Sequence, residues 1–214
     1  VSVASQYMAN PGKPQMEYVE NIMRYLIHAK DHVRTIRRQT NSKRPWLFGF
    51  TDADLGSGGV LPIAGQRSDR RSRTGFFFFL FGNLVGHQSR LQPSVSLSTA
   101  EGEYQALCAG SQFAVWMVRM MNEIGLQVAE PVKMYCDNRS ALHICRNPVH
   151  HKYTKHIDTR LNWIKSAVRT KVIDPVWTPT NANCSDIGTK ALSYKKFAEF
   201  RDAILGRIQV PLPN

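Results

Sequence analysis

The apolar positions divide the chain into stretches of different period. Met16, Val19, Ile22, Met23, Leu26 and Ile27 recur at helical spacing behind Pro14, a favourable first helical residue, and predict one amphipathic helix. The following Lys30, His32, Arg34, Arg37, Arg38, Lys43 and Arg44 carry charge without an apolar stripe, so this segment reads as a solvated basic linker. From Trp46 short apolar runs take over. Trp46–Ala53, Gly75–Phe81 and Leu84–Ser89 predict three strands, the last two a hairpin turning at Gly82-Asn83. Between the first two lies Leu55–Arg73, rich in Gly, Ser and Arg, which is long for a strand connection and reads as a mobile loop.

Ser98 opens the longest helix, which ends near Gly125. Val132–Cys136 is a short buried strand, Asn138–Cys145 a brief helix and Thr154–Arg169 a longer one. Lys171–Trp177 is a further strand and Tyr194–Leu205 a closing helix. The order of elements gives a mixed α/β sheet covered by helices, with the expected divisions 1–45 (helix and basic linker), 46–206 (the domain) and 207–214 (a tail).

Composition narrows the class. With 214 residues, 43% hydrophobic and 21% charged, the chain has enough apolar material for one well-buried core and not the composition of a disordered or collagenous protein. The excess of 28 Lys+Arg over 16 Asp+Glu leaves +12, which favours a polyanionic partner, nucleic acid ahead of an anionic membrane face. Cys108, Cys136, Cys145 and Cys184 form no CxxC pair and read as small buried hydrophobes in a reducing compartment. No run reaches the roughly 20 apolar residues of a membrane helix and no signal peptide is recognisable, so the expected location is intracellular, cytoplasmic or nuclear.

Four acids stand where solvation alone would not put them. Period-two alternation places Asp52 and Asp54 on one face of a mostly apolar strand. Asp137 follows the run Val132–Cys136, at a strand's carboxyl end, where α/β sheets commonly hold ligands. Asp186 begins a short segment after the loop Pro179–Cys184, with a helix-capping role as the alternative. On the long helix, at ~100° per residue, Leu107, Ser111, Ala114, Val118 and Met121 fall within ~80° of Glu103, which therefore faces the core. Glu101 lies ~160° away on the polar face with Gln105, three residues after Ser98, where it completes a capping box. A carboxylate on a buried stripe is costly without a compensating cation, so Glu103 is a metal-site candidate and Glu101 is not. Four such acids at one sheet edge repel one another without cations, and two Mg²⁺ ions would clamp the attacking and leaving oxygens of a phosphodiester.

These residues lie in a series of motifs: Asn10-Pro11-Gly12-Lys13 with Arg24-Tyr25-Leu26, Thr51-Asp52-Ala53-Asp54, Asp69-Arg70-Arg71-Ser72 with Thr74-Gly75, and Leu97-Ser98-Thr99-Ala100-Glu101-Gly102-Glu103-Tyr104. It continues through Tyr135-Cys136-Asp137-Asn138-Arg139-Ser140-Ala141, Thr154-Lys155-His156-Ile157-Asp158-Thr159-Arg160 and Asp186-Ile187-Gly188-Thr189-Lys190. In order and spacing the chain resembles the ribonuclease H domain of copia-type retrotransposon polyproteins. The resemblance implies a ribonuclease H-like fold, a five-stranded mixed sheet flanked by helices with an extra N-terminal helix, and catalytic metal ligands Asp52, Glu103, Asp137 and Asp186. It implies two Mg²⁺ ions, with Mn²⁺ as a substitute, and hydrolysis of the RNA strand of RNA–DNA hybrids. Nucleic-acid contacts are expected at Arg70, Arg71, Arg73, Asn138, Lys155 and His156, and Arg67 shares their loop. The polymerase domain of the same polyprotein is an expected partner, and it lies outside this chain, which has no Tyr-x-Asp-Asp run.

Three positions depart from the family pattern: Leu55 and His87 stand where Trp is usual, and Gly188 where Leu is. They motivate a rival reading, a nucleic-acid-binding module of the same fold with weakened catalysis. An integrase or transposase is the other rival, but its third acid is normally a late Glu, whereas this chain has an early helix Glu and a late Asp. A zinc site at Cys145, His150, His151 and His156 is disfavoured, because adjacent histidines rarely ligate one ion and no second Cys lies at finger spacing. Phe76–Phe79 reads as a strand packed on both faces rather than as a base-stacking platform.

Overall fold

The computed structural model describes residues 4–38, 44–56, 70–146 and 155–213. Most of the loop expected at Leu55–Arg73, with Arg67, and the histidines His150 and His151 lie outside the described residues. The strands are β1 (Leu47–Asp54), β2 (Arg73–Leu80), β3 (Asn83–Leu91), β4 (Val132–Cys136) and β5 (Ile173–Trp177). They form one sheet in the order β3-β2-β1-β4-β5. β2 is antiparallel to both β1 and β3, whereas β4 is parallel to β1 and to β5. This is the five-stranded mixed sheet of the ribonuclease H-like fold expected from the motifs, with Asp52 and Asp137 ending neighbouring parallel strands. Pro175 sits in β5, an edge strand, where a missing N–H is tolerated.

Helices α1 (Lys13–His28), α2 (Thr99–Glu123), α3 (Arg139–Arg146), α4 (Lys155–Arg169) and α5 (Tyr194–Ile204) complete the chain. The sheet carries a core on each face. On one, Phe76 and Phe78 meet Leu107, Ala114 and Met117 of α2 together with Ile164 of α4. On the other, Phe48, Phe50, Phe77, Phe79 and Tyr135 pack with Phe200 of α5 and Val210. The four phenylalanines of β2 are therefore committed to both cores, as the run suggested, and none is available to stack on a base. α2 lies close on β1 because residue 110 is Gly: a Cβ there would come within 2.6 Å of Thr51 Cγ2.

Two sequence-based expectations need correction and a third is completed by the structure. The β2–β3 turn is centred on Phe81 (φ 49°) and Gly82 (φ 76°), one residue earlier than read, and Asn83 already belongs to β3. Two positive φ values give the turn whose twist suits a hairpin. Phe81 reads as strand because it is apolar, but here its ring packs at 5.5 Å on Trp46. The basic segment after α1 is solvent-exposed over most of its described part, as a solvated linker would be, but it is anchored to the domain. Arg34 donates to the Leu84 carbonyl, Arg37 N–H to Asn83 Oδ1 (2.8 Å), and Thr35 N–H to the Leu205 carbonyl (2.7 Å). Backbone carbonyls and the Asn83 side chain thus hold a segment whose composition shows only its charge. Finally, Gln105, assigned to the polar face of α2, is buried, with Nε2 donating to Ser96 Oγ and Oε1 accepting from Arg160.

Candidate active site

The four acids reach one place from four elements. Asp52 comes from the end of β1, Glu103 from the second turn of α2, Asp137 from the residue after β4, and Asp186 from a short 3-10 helix, Cys184–Gly188. Asp52 and Asp186 are essentially inaccessible (1% and 0%), Glu103 is 6% exposed and Asp137 is half-buried. Oxygens of Asp52, Asp137 and Asp186 lie within 4.8 Å of one another, and Glu103, Asp137 and the thiol of Cys136 form a second such group. Asp137 belongs to both.

Local chemistry explains each placement. Ser98 caps α2 by accepting from Glu101 N–H (3.2 Å), and Glu101 turns back to accept from Leu97 N–H (2.8 Å). This fixes the start of the helix and commits Glu101 to the cap, leaving Glu103 to face inward. Asn138 Oδ1 accepts from Ala141 N–H (2.9 Å) and starts α3 directly after Asp137. The 3-10 helix is tied to β1 through buried Asn183, whose Nδ2 donates to the Thr51 carbonyl (3.0 Å) and whose Oδ1 accepts from Ser185. Asp186 is thus fixed relative to Asp52 by a side chain rather than by a strand ladder. Gly188, where the family pattern has Leu, passes under β2: a Cβ would sit 2.9 Å from the Phe77 ring. The departure accommodates a close approach. His87 stacks on that same ring at 5.7 Å, and Leu55 is exposed.

The cluster is electrostatically loaded. Burial, with Asp52 and Asp137 adding repulsion, raises the Glu103 carboxyl to about 9, against the pull of the Ala53 backbone N–H. Burial also raises Asp52, to about 6, although the Thr189 hydroxyl donates to it and Lys190 lies nearby. Two lysines that sequence reasoning missed complete the site. Lys190 Nζ is 2.9 Å from Asp186 Oδ1 and 3.6 Å from Asp52 Oδ1, and Lys196 Nζ is 2.7 Å from Asp186 Oδ2. The spacing Asp186/Lys190 was visible as i, i+4, but without knowledge that Asp186 is buried it reads as an ordinary surface pair.

The donor set fits divalent ions: three carboxylates converge in one group and two carboxylates stand beside a thiol in the other, and burial holds Glu103 and Asp52 at raised proton affinity. The residues expected to touch nucleic acid are less uniform. Arg70 is exposed and Arg71 half-buried. Arg73 is buried in β2, in register with Asp54 and donating to Ser89 Oγ (3.4 Å), so it balances Asp54 rather than facing a phosphate. This also removes Asp54 from the acid cluster. Asn138 is half-buried at the α3 cap; Lys155 and His156 open α4, and their side chains lie outside the described set. Instead, a groove of about 700 Å³ between the β3 edge, α2 and α4 gathers Arg71, Arg90 and Arg160 with Gln88, Gln105 and Gln112. Arg90 carried no sequence signal beyond its charge, and Arg160 stood only as the last residue of the Thr154–Arg160 motif. The four cysteines are free and buried, as expected. No helix among the described residues is long and apolar enough to cross a membrane.

No family model matches the chain. Among solved structures, the ribonuclease H1 LC11 isolated from compost is similar at a TM-score of 0.47 and 13% identity, covering 68% of this chain and 94% of that one. Among curated proteins, the retrovirus-related Pol polyprotein from transposon TNT 1-94 of Nicotiana tabacum is 36% identical over 197 residues, 92% of this chain and 14% of that polyprotein. The corresponding polyprotein from transposon RE2 of Arabidopsis thaliana is 30% identical over 211 residues, 99% of this chain and 14% of that one. The chain thus spans about one seventh of the length of these relatives. Along almost its whole length the chain is thus homologous to a segment of the retrovirus-related Pol polyproteins of copia-type transposons, and it has the ribonuclease H-like fold.

Proposed function

We propose that this domain is a metal-dependent endonuclease that hydrolyses the RNA strand of RNA–DNA hybrids, leaving 3′-hydroxyl and 5′-phosphate ends. The observation that carries the reading is Asp137, which stands in both three-residue ligand groups, so the cluster offers two adjoining positions that share one carboxylate. Asp52, Glu103, Asp137 and Asp186 would hold two Mg²⁺ ions, with Mn²⁺ as a substitute. Bound there, the ions supply an activated water and stabilise the leaving oxygen. The chain's own residues do the rest. Burial keeps bulk water from Asp52 and Asp186, Asn183 fixes the distance between their elements, and the Ser98 cap sets the phase of Glu103.

The substrate is held by charge first. A net +12 and the arginine-lined groove suit a phosphate backbone, and choice of RNA over DNA rests on 2′-hydroxyl contacts. In a polyprotein the polymerase segment is the natural partner that supplies the hybrid. The test is a hybrid labelled separately on each strand, incubated with Mg²⁺ and either wild type or Asp137→Asn. Wild type is expected to cut only the RNA strand and only with metal, and Asp137→Asn to bind but not cut. Retained binding with no metal-dependent cleavage by wild type would favour the rival binding module.

A further inference from the structure

The lysines around Asp186 differ in a way that their shared charge conceals. Lys196 is anchored: Nζ contacts Asp186 Oδ2 at 2.7 Å, donates to the Thr180 carbonyl at 3.0 Å, and lies 5.2 Å from the Phe200 ring centre. Lys190 has no such anchor. Among the described residues its Nζ has two partners, Asp186 Oδ1 at 2.9 Å and Asp52 Oδ1 at 3.6 Å. Those carboxylates are 0% and 1% exposed, whereas the Lys190 side chain is 34% exposed, so its stem has a route to water that the acids lack.

Asp52 and Asp186 are also two of the three acids whose oxygens converge with Asp137. An ammonium bridging two of them occupies the space and the charge that a divalent ion would take, and a doubly charged ion beside it would be strongly repelled. Taking the cluster to be a divalent-metal site, as proposed above, we infer that Lys190 is a resident counter-ion: its ammonium fills the Asp52–Asp186 position in the ion-free protein and swings out to solvent when metal binds. Lys196 stays as the permanent partner of Asp186. Metal binding is then an exchange of one cation for another, and Lys190 sets how much metal the site requires.

The test compares wild type with Lys190→Met and Lys196→Met, using Mn²⁺ as the probe in titration calorimetry and in thermal melting without substrate. Lys190→Met is expected to melt lower when ion-free, to bind Mn²⁺ roughly tenfold or more tighter, and to gain more melting temperature from Mn²⁺ than wild type. Lys196→Met is expected to melt lower with a much smaller change in affinity. Lys190→Arg keeps the charge, so it should bind no tighter than wild type; this variant serves if Lys190→Met fails to fold. Mn²⁺ binding by Lys190→Met at wild-type affinity, equal tightening in both Met variants, or tighter binding by Lys190→Arg would overturn the exchange while leaving the metal site standing. No binding by any of the proteins would overturn the metal site itself, and the exchange with it.

Discussion

Replacing the ionisable carboxyl of Glu103 by an amide should stabilise the ion-free protein, and the size of the effect should depend on pH. The carboxyl is 6% exposed and its pKa is raised by burial from 4.5 to about 9. Below 4.5 the group is protonated in both folded and unfolded chains and contributes nothing. Above 4.5 the unfolded chain ionises while the folded one keeps its proton, so stability falls with rising pH until the folded group ionises near 9. From 4.5 to neutrality is about 2.5 pH units, each worth about 1.4 kcal/mol, a cost on the order of 3 kcal/mol at pH 7. Glu103→Gln removes that cost. The ion-free variant should therefore melt roughly 6–12 °C above wild type at pH 7 and together with it near pH 4. Asp52, raised to about 6, adds a slope of the same sign below that pH, but it does so in both proteins, so the difference between the curves reports Glu103. With excess Mg²⁺ the order should reverse, since only the wild type retains the full ligand set, and cleavage by the variant should be lost. Melting scans from pH 4 to 8, with chelator and with Mg²⁺, measure this. A pH-independent difference, or a variant less stable than wild type when ion-free at pH 7, would refute the placement of Glu103 as a buried, uncompensated acid.

Glu101→Gln should cost at most about 1 kcal/mol of stability and leave hybrid cleavage within about twofold, because its role is the α2 cap; denaturant titration and the cleavage assay check both halves. Gly110→Ala should destabilise by about 1–3 kcal/mol, since its methyl would press on Thr51 and Met134 and lift α2 from the sheet; a neutral result in a melt would contradict the close approach. Hybrid affinity should fall steeply between low and physiological salt, and Arg90→Ala should weaken it and reduce the slope of log affinity against log salt by about one. Filter binding across a salt series reads both.

The residues that were legible in the sequence are those whose surroundings repeat. Asp52 could be placed because it lies in a mostly apolar strand whose side chains point to alternate faces, and Glu103 because α2 is long enough to fix a helical phase that separates it from Glu101. Asp137 follows a strand short enough to have only one end of interest. Asp186 has no such context: its five-residue 3-10 helix carries no period, and it is placed by long-range contacts, Asn183 reaching back to Thr51 and Lys196 and Lys190 holding its carboxylate. Lys196 had no local signal and the i, i+4 spacing of Lys190 no distinctive meaning for the same reason, since both depend on Asp186 being buried. Arg73 was misread because loop composition shows charge and not cross-strand register with Asp54. The anchoring of segment 29–38 had no sequence signal because its partners are carbonyls contributed by distant parts of the chain, such as Leu84 and Leu205.

The claim on which the rest depends is that four acids from four elements form one divalent-metal centre. Anomalous diffraction from crystals soaked in Mn²⁺ tests it most directly. Two manganese peaks are expected within the cluster, one touched by Asp52, Asp137 and Asp186 and the other by Glu103 and Asp137. Crystals in which the acids stay free of manganese at saturating concentration, with Lys190 still bridging Asp52 and Asp186, would contradict it.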